Sequence, residues 1–93
     1  MEAEVKNGRP PTDRQIELLA FMAEYFETQG RWPSHREMAA ALTLNTSNLN
    51  PYLTLLEAKG LLRRLEGQSR RNRALTALGR QIVIEKEWQP RLL

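Results

Sequence analysis

The sequence predicts a small, mainly α domain with one short β-hairpin, and three observations carry that expectation. Apolar residues recur at helical spacing through the first 60 positions. The first two helical segments open on capping-box pairs, and the first and third close on a glycine. After Gly60 the pattern shortens to two apolar runs on either side of an arginine-rich turn, as a hairpin requires. Ninety-three residues are enough for one domain.

Residues 1–11 show no periodicity and end in Gly8-Arg9-Pro10-Pro11, the pattern of a flexible N-terminal arm. The folded domain is expected over 12–88. Its first helix starts at Thr12, whose hydroxyl can accept a backbone N–H while Gln15 reaches back. Ile16, Leu19, Ala20, Ala23 and Phe26 then mark one face, widened by Leu18, Met22 and Tyr25, and Gly30 supplies the stop. Trp32 precedes a proline and is held extended. A second capping box, Ser34 with Glu37, opens a short helix to about Leu42 that buries Met38, Ala39 and Leu42.

Thr43-Leu44-Asn45-Thr46 reads as a turn. The third helix places Leu49, Leu53 and Leu56 on one face and ends at Lys59-Gly60. Pro51 fixes where it begins. A proline inside a helix loses a hydrogen bond and costs about 3 kcal/mol, whereas the first turn tolerates it. The expected start is therefore late, at Ser47 or Asn48, with a stiff and shortened leading turn. Residues 61–65 form one strand, 66–69 a turn, and 73–75 the returning strand. Thr76 caps a last helix over 77–88 with Leu78 and Ile82 inward, and 89–93 form a tail. His35 is expected to be exposed in the first turn of the second helix.

Charge is distributed unevenly. Residues 1–60 hold six Lys/Arg and eight Asp/Glu, a balance of −2, whereas 61–93 hold eight and three, a balance of +5. Arg63, Arg64, Arg70, Arg71 and Arg73 face only Glu66 in that stretch. Such a cluster is the footprint of a polyanion partner, and the planar fork of arginine suits phosphate; a solvated basic loop is the plainer explanation. Without cysteine there are no disulfides, thiolate metal sites or thiol nucleophiles, which fits a reducing cytoplasm. No apolar run approaches the roughly 20 residues of a membrane span, and the acidic start is not a signal peptide. One histidine, scattered carboxylates and no phosphate-binding glycine loop give no basis for catalysis, a metal or any cofactor.

Helix, helix, tight turn, helix and basic hairpin make a winged helix-turn-helix: a three-helix core, a two-stranded wing and a C-terminal helix. The third helix can then enter the major groove of double-stranded DNA, about 12 Å wide. Polar residues should occupy its leading turn, and the sequence places Asn45, Thr46, Ser47, Asn48, Asn50 and Tyr52 there. Thr46, Ser47, Asn48, Asn50 and Tyr52 are the candidate readers. The same residue types also favour caps and turns. In the wing, Gln68, Ser69, Arg70, Arg71 and Arg73 could follow the backbone or enter the minor groove. Ser34 at a helix start and Arg36 beside it are candidates for one more phosphate.

The runs Arg14-Gln15-Ile16-Glu17-Leu18-Leu19 and Gly30-Arg31-Trp32-Pro33-Ser34-His35-Arg36-Glu37-Met38-Ala39 resemble the DNA-binding domain of LexA-type repressors. Leu55 to Arg64 is similar to both LexA-type and MarR-type winged helices, and Arg71 to Arg80 looks more like a MarR-type wing. The resemblance implies a sequence-specific transcriptional regulator, most simply a repressor. It places Ser47, Asn48 and Asn50 on the recognition helix and Arg70, Arg71 and Arg73 in the wing. No peptidase domain lies within these residues, and the long dimerising helices of MarR-type proteins are mostly missing. The expected partners are double-stranded DNA and a second copy bound to it as a homodimer, with no membrane. A module docking on a polymerase or another regulator is the alternative.

Overall fold

The computed structural model describes residues 11–65 and 73–88, so residues 1–10 of the expected arm, residues 66–72 of the expected wing and the tail over 89–93 lie outside the described residues. Among the described residues four helices and one hairpin follow in chain order: α1 (Asp13–Gln29), α2 (His35–Ala41), α3 (Thr46–Ala58), β1 (Leu62–Arg64), β2 (Arg73–Leu75) and α4 (Ala77–Trp88). β1 and β2 pair antiparallel, with Leu62 opposite Leu75, Arg63 opposite Ala74 and Arg64 opposite Arg73.

Both capping boxes form. The Thr12 hydroxyl accepts from the Gln15 N–H at 3.2 Å while Thr12 N–H donates to Gln15 Oε1 at 2.9 Å. Ser34 and Glu37 repeat the exchange at 3.1 and 2.7 Å. The Gln15 oxygen has a second task. It also accepts from Lys59 Nζ at 3.0 Å, tying the start of α1 to the end of α3 in a buried contact. Arg14 Nη2 donates to the Leu42 carbonyl, linking α1 to the residue that caps the end of α2.

α2 and α3 end in the same way. After α3, Gly60 at φ +83° lets its N–H reach the Glu57 carbonyl and the Leu61 N–H reach that of Leu56, both at 2.9 Å. This is a Schellman cap, and Leu61 packs in the core beside Leu56. After α2 the Thr43 N–H reaches Ala40 at 3.1 Å and the Leu44 N–H reaches Ala39 at 2.9 Å. Here the left-handed residue is Thr43 at φ +57°, a β-branched side chain in a conformation that favours glycine.

The core joins Leu18, Leu19 and Met22 of α1, Met38 and Ala39 of α2, and Leu49, Leu53 and Leu56 of α3. Leu61, Leu62, Leu75, Ile82 and Val83 complete it from the hairpin and α4. The hairpin therefore leans on the helices, as an isolated pair of short strands must. Thr76 locks this corner: its hydroxyl donates to the Gly60 carbonyl at 2.6 Å and accepts from the Gly79 N–H at 3.1 Å. Gly79 is a requirement of packing, because a Cβ there would lie 2.4 Å from the Leu61 carbonyl oxygen.

Four expectations change. α3 begins at Thr46 with Asn45 as its cap, so Pro51 falls in the second turn rather than the first. Burial of Leu49 on one side of the proline and of Leu53 and Leu56 on the other holds the helix through it. His35 is buried rather than exposed. The first strand is shorter than expected, Leu62–Arg64 rather than 61–65, whereas the second spans Arg73–Leu75 as expected. Pro11 is buried, so the packed chain already includes the last residue of the expected arm.

Candidate nucleic-acid interface

The apolar stripe of α3 faces the core, so its other side is set by helical geometry. Ser47, Asn50, Pro51, Thr54, Leu55 and Ala58 recur at spacings of three and four, and Ser47, Asn50, Pro51, Thr54 and Leu55 are exposed. Thr46 and Asn48 are exposed beside them at the leading end. Asn45 organises that end: its Oδ1 accepts from the Asn48 N–H at 3.0 Å and from the Ser47 hydroxyl at 2.8 Å. Ser47 therefore serves the cap and the surface together, while the Asn48 and Asn50 side chains extend from an ordered turn. The cap explanation is met at the Asn45 Oδ1 and the Ser47 hydroxyl, and the Asn48 and Asn50 side chains are exposed.

Tyr52 does not join them. It is partly buried against the core, because its position lies on the flank of the Leu49–Leu53–Leu56 stripe. Thr54 is not among the expected readers, yet it continues the exposed stripe one turn beyond Asn50. The signal for it is the i, i+4 spacing from Asn50. Confining the readers to a shortened first turn hides it.

The five expected wing contacts divide. Gln68, Ser69, Arg70 and Arg71 lie outside the described residues. Arg73 is placed, and not at the surface: its side chain is 3% exposed and its Nε donates to Glu57 Oε1 of α3. All three residues of β2 are buried, which turns this guanidinium inward. A buried, carboxylate-bound arginine cannot grip a phosphate, so Arg73 leaves the set of DNA-facing residues. Arg64 on β1 lies 3.5 Å from the same Glu57 oxygen and is 65% exposed. Arg63, next to it, is also exposed.

Ser34 is corrected as well. Its N–H and hydroxyl are both used by Glu37, whose carboxylate therefore occupies the start of α2 and would face an incoming phosphate. That carboxylate is a hub. Arg31 donates to it at 3.2 Å, Tyr25 donates its hydroxyl, and the Arg31 guanidinium lies 5.0 Å from the Tyr25 ring centre. Arg31 foremost, then the Ser34 N–H and the Tyr25 hydroxyl, hold the Glu37 carboxyl down to about 2. The same contact with Glu37 raises the Tyr25 hydroxyl pKa, and burial adds to the effect. Arg36 is exposed on α2 and remains a candidate for phosphate contact. Among the described residues no cluster of His, Cys, Asp or Glu could hold a metal, and no helix is long and apolar enough to cross a membrane.

The surface is thus a helix-turn-helix whose second helix presents uncharged polar side chains, flanked by a hairpin with arginine on its first strand. A family model of the LexA DNA binding domain matches residues 8–71 of this chain. The chain belongs to the LexA DNA-binding domain family. The matched stretch runs from the residues preceding α1 into the segment between β1 and β2, so this LexA-type domain comprises the three-helix core and the first strand of the wing. The LexA repressor of Myxococcus xanthus (strain DK1622) is 40% identical over 75 residues, covering 73% of this chain and 34% of that protein. The LexA repressor of Anaeromyxobacter sp. (strain Fw109-5) is 43% identical over 60 residues, covering 63% and 26%. That of Aromatoleum aromaticum is 34% identical over 80 residues, covering 85% and 39%. The chain therefore spans between a quarter and two fifths of the length of these repressors. The crystal structure of the M. tuberculosis transcriptional regulator MosR shares the fold. It aligns with a TM-score of 0.60 at 23% identity over 88% of this chain and 61% of that one.

Proposed function

We propose that this LexA-type domain directs a transcriptional repressor to its operator by inserting α3 into the major groove. The observation that carries the reading is the composition of the exposed stripe. Ser47, Asn48, Asn50 and Thr54 are small, polar and uncharged, and α3 contains no lysine or arginine at all. Asparagine can pair bidentately with adenine, and hydroxyls can serve bases or phosphates. A helix so composed can discriminate sequence but contributes little nonspecific attraction. Attraction must then come from basic residues elsewhere: Arg36 on α2, Arg63 on β1, and Arg70 and Arg71, with Gln68 and Ser69, in the sequence between the two strands. These residues position the domain without specifying sequence.

Two copies on DNA would read half-sites about one helical turn apart. Selection of bound duplexes from a random pool tests the proposal. The expected product is a short enriched motif, repeated with two-fold symmetry, in which Asn50→Ala relaxes one position at a cost of about 1–3 kcal/mol. A pool that stays random while binding persists would contradict readout by α3.

A further inference from the structure

We infer that Glu57 is a positioning residue for DNA binding, acting as a strut that fixes the wing against the recognition helix. It is the single acidic residue of α3, and it lies at the end from which the chain enters the hairpin. One oxygen of its carboxylate takes both strands: Arg73 of β2 donates to Oε1, and Arg64 of β1 approaches it at 3.5 Å. Arg64 and Arg73 are cross-strand neighbours in the hairpin register. Among the described residues they form the pair nearest the arginine-rich segment, so the carboxylate grips the hairpin on the side from which that segment departs. The Arg73 side chain is almost wholly buried and that of Glu57 is 24% exposed, which makes this ion pair far less screened than one at the surface.

The charge alone is wrong for a DNA-facing helix. A carboxylate close to phosphates opposes binding, and removing it should tighten the complex. A strut predicts the reverse, because a wing released from α3 no longer brings its arginines to the backbone. The inference rests on the proposed role of the wing, and the two ideas fail differently.

The experiment measures duplex affinity at about 0.1 M salt for Glu57→Gln, for Arg70→Ala/Arg71→Ala and for the combined variant, at a temperature where circular dichroism shows each folded. Each neutralised phosphate is worth roughly tenfold in affinity at that salt. Glu57→Gln is expected to weaken binding about tenfold to a hundredfold and to reduce its salt dependence. It should have little further effect once Arg70 and Arg71 are gone. If Glu57→Gln does not fold, Glu57→Asp serves instead, since it keeps the charge, shortens the reach and should weaken binding in the same way. Unchanged or tighter binding overturns the strut, as does a drop of equal size in the Arg70/Arg71 background. If Arg70→Ala/Arg71→Ala itself binds like the wild type, the wing reading fails and the strut falls with it.

Discussion

Thr43 sits at φ +57° in the turn between α2 and α3, where a β-branched residue is strained. Its backbone N–H is nevertheless committed to the Ala40 carbonyl, so the conformation cannot relax without breaking the cap. Thr43→Gly should relieve about 1 kcal/mol and raise Tm by about 4–8 °C in a thermal melt; an unchanged or lowered Tm would show that the threonine is not strained there. Glu37 makes a prediction of opposite character. Its folded carboxyl titrates at about 2 against an ordinary value of 4.5, so its contribution is complete above pH 4.5 and disappears as pH falls toward 2. Glu37→Gln should lower Tm at pH 7 and flatten the decline of stability across that acid window, as followed by melts from pH 7 down to pH 2. The capping partners are legible in the sequence because they lie three residues apart. The role of Arg73 is not, because burial depends on a partner sixteen positions away in the chain. His35 likewise changes from surface to interior only once the helices pack.

At the scale of elements, helix ends are the most readable features, since caps and left-handed stops are local chemistry. α1 and α4 begin and end where their capping threonines and apolar periodicity place them. α3 departs because the rule against an internal proline competes with tertiary burial, and burial wins. Pro51 sits between buried leucines on both sides, so packing on the core holds a helix that its own hydrogen bonds would have ended. The exposed polar surface of α3 is correspondingly longer than its leading turn and reaches Thr54. Gly79 shows the opposite case, a glycine whose reason appears only in three dimensions. In an open helix Gly→Ala stabilises by up to about 1 kcal/mol. Here the added Cβ meets the Leu61 backbone at 2.4 Å, and the overlap should outweigh the propensity. Gly79→Ala is expected to cost about 1–3 kcal/mol in denaturant unfolding, and a stabilised variant would mean that α4 can move away from the hairpin.

In the proposed function, attraction and discrimination lie in different parts of the molecule. The last third of the chain carries most of the positive charge, and α3 carries no lysine or arginine. On that proposal specificity depends on a few uncharged side chains, while affinity depends on arginines that answer to ionic strength. At this scale the basic footprint is plain in the sequence, but arginines that face solvent are not distinguished there from the one that holds the hairpin to α3. The most direct measurement is the slope of log affinity against log salt for a selected duplex, compared between the wild type and Arg70→Ala/Arg71→Ala. A winged LexA-type domain of this form should give a steep negative slope for the wild type. The variant's slope should be shallower by about 0.9 for each phosphate that the wing no longer neutralises. Parallel slopes for the two proteins, or no affinity for any duplex at low salt, would contradict the account.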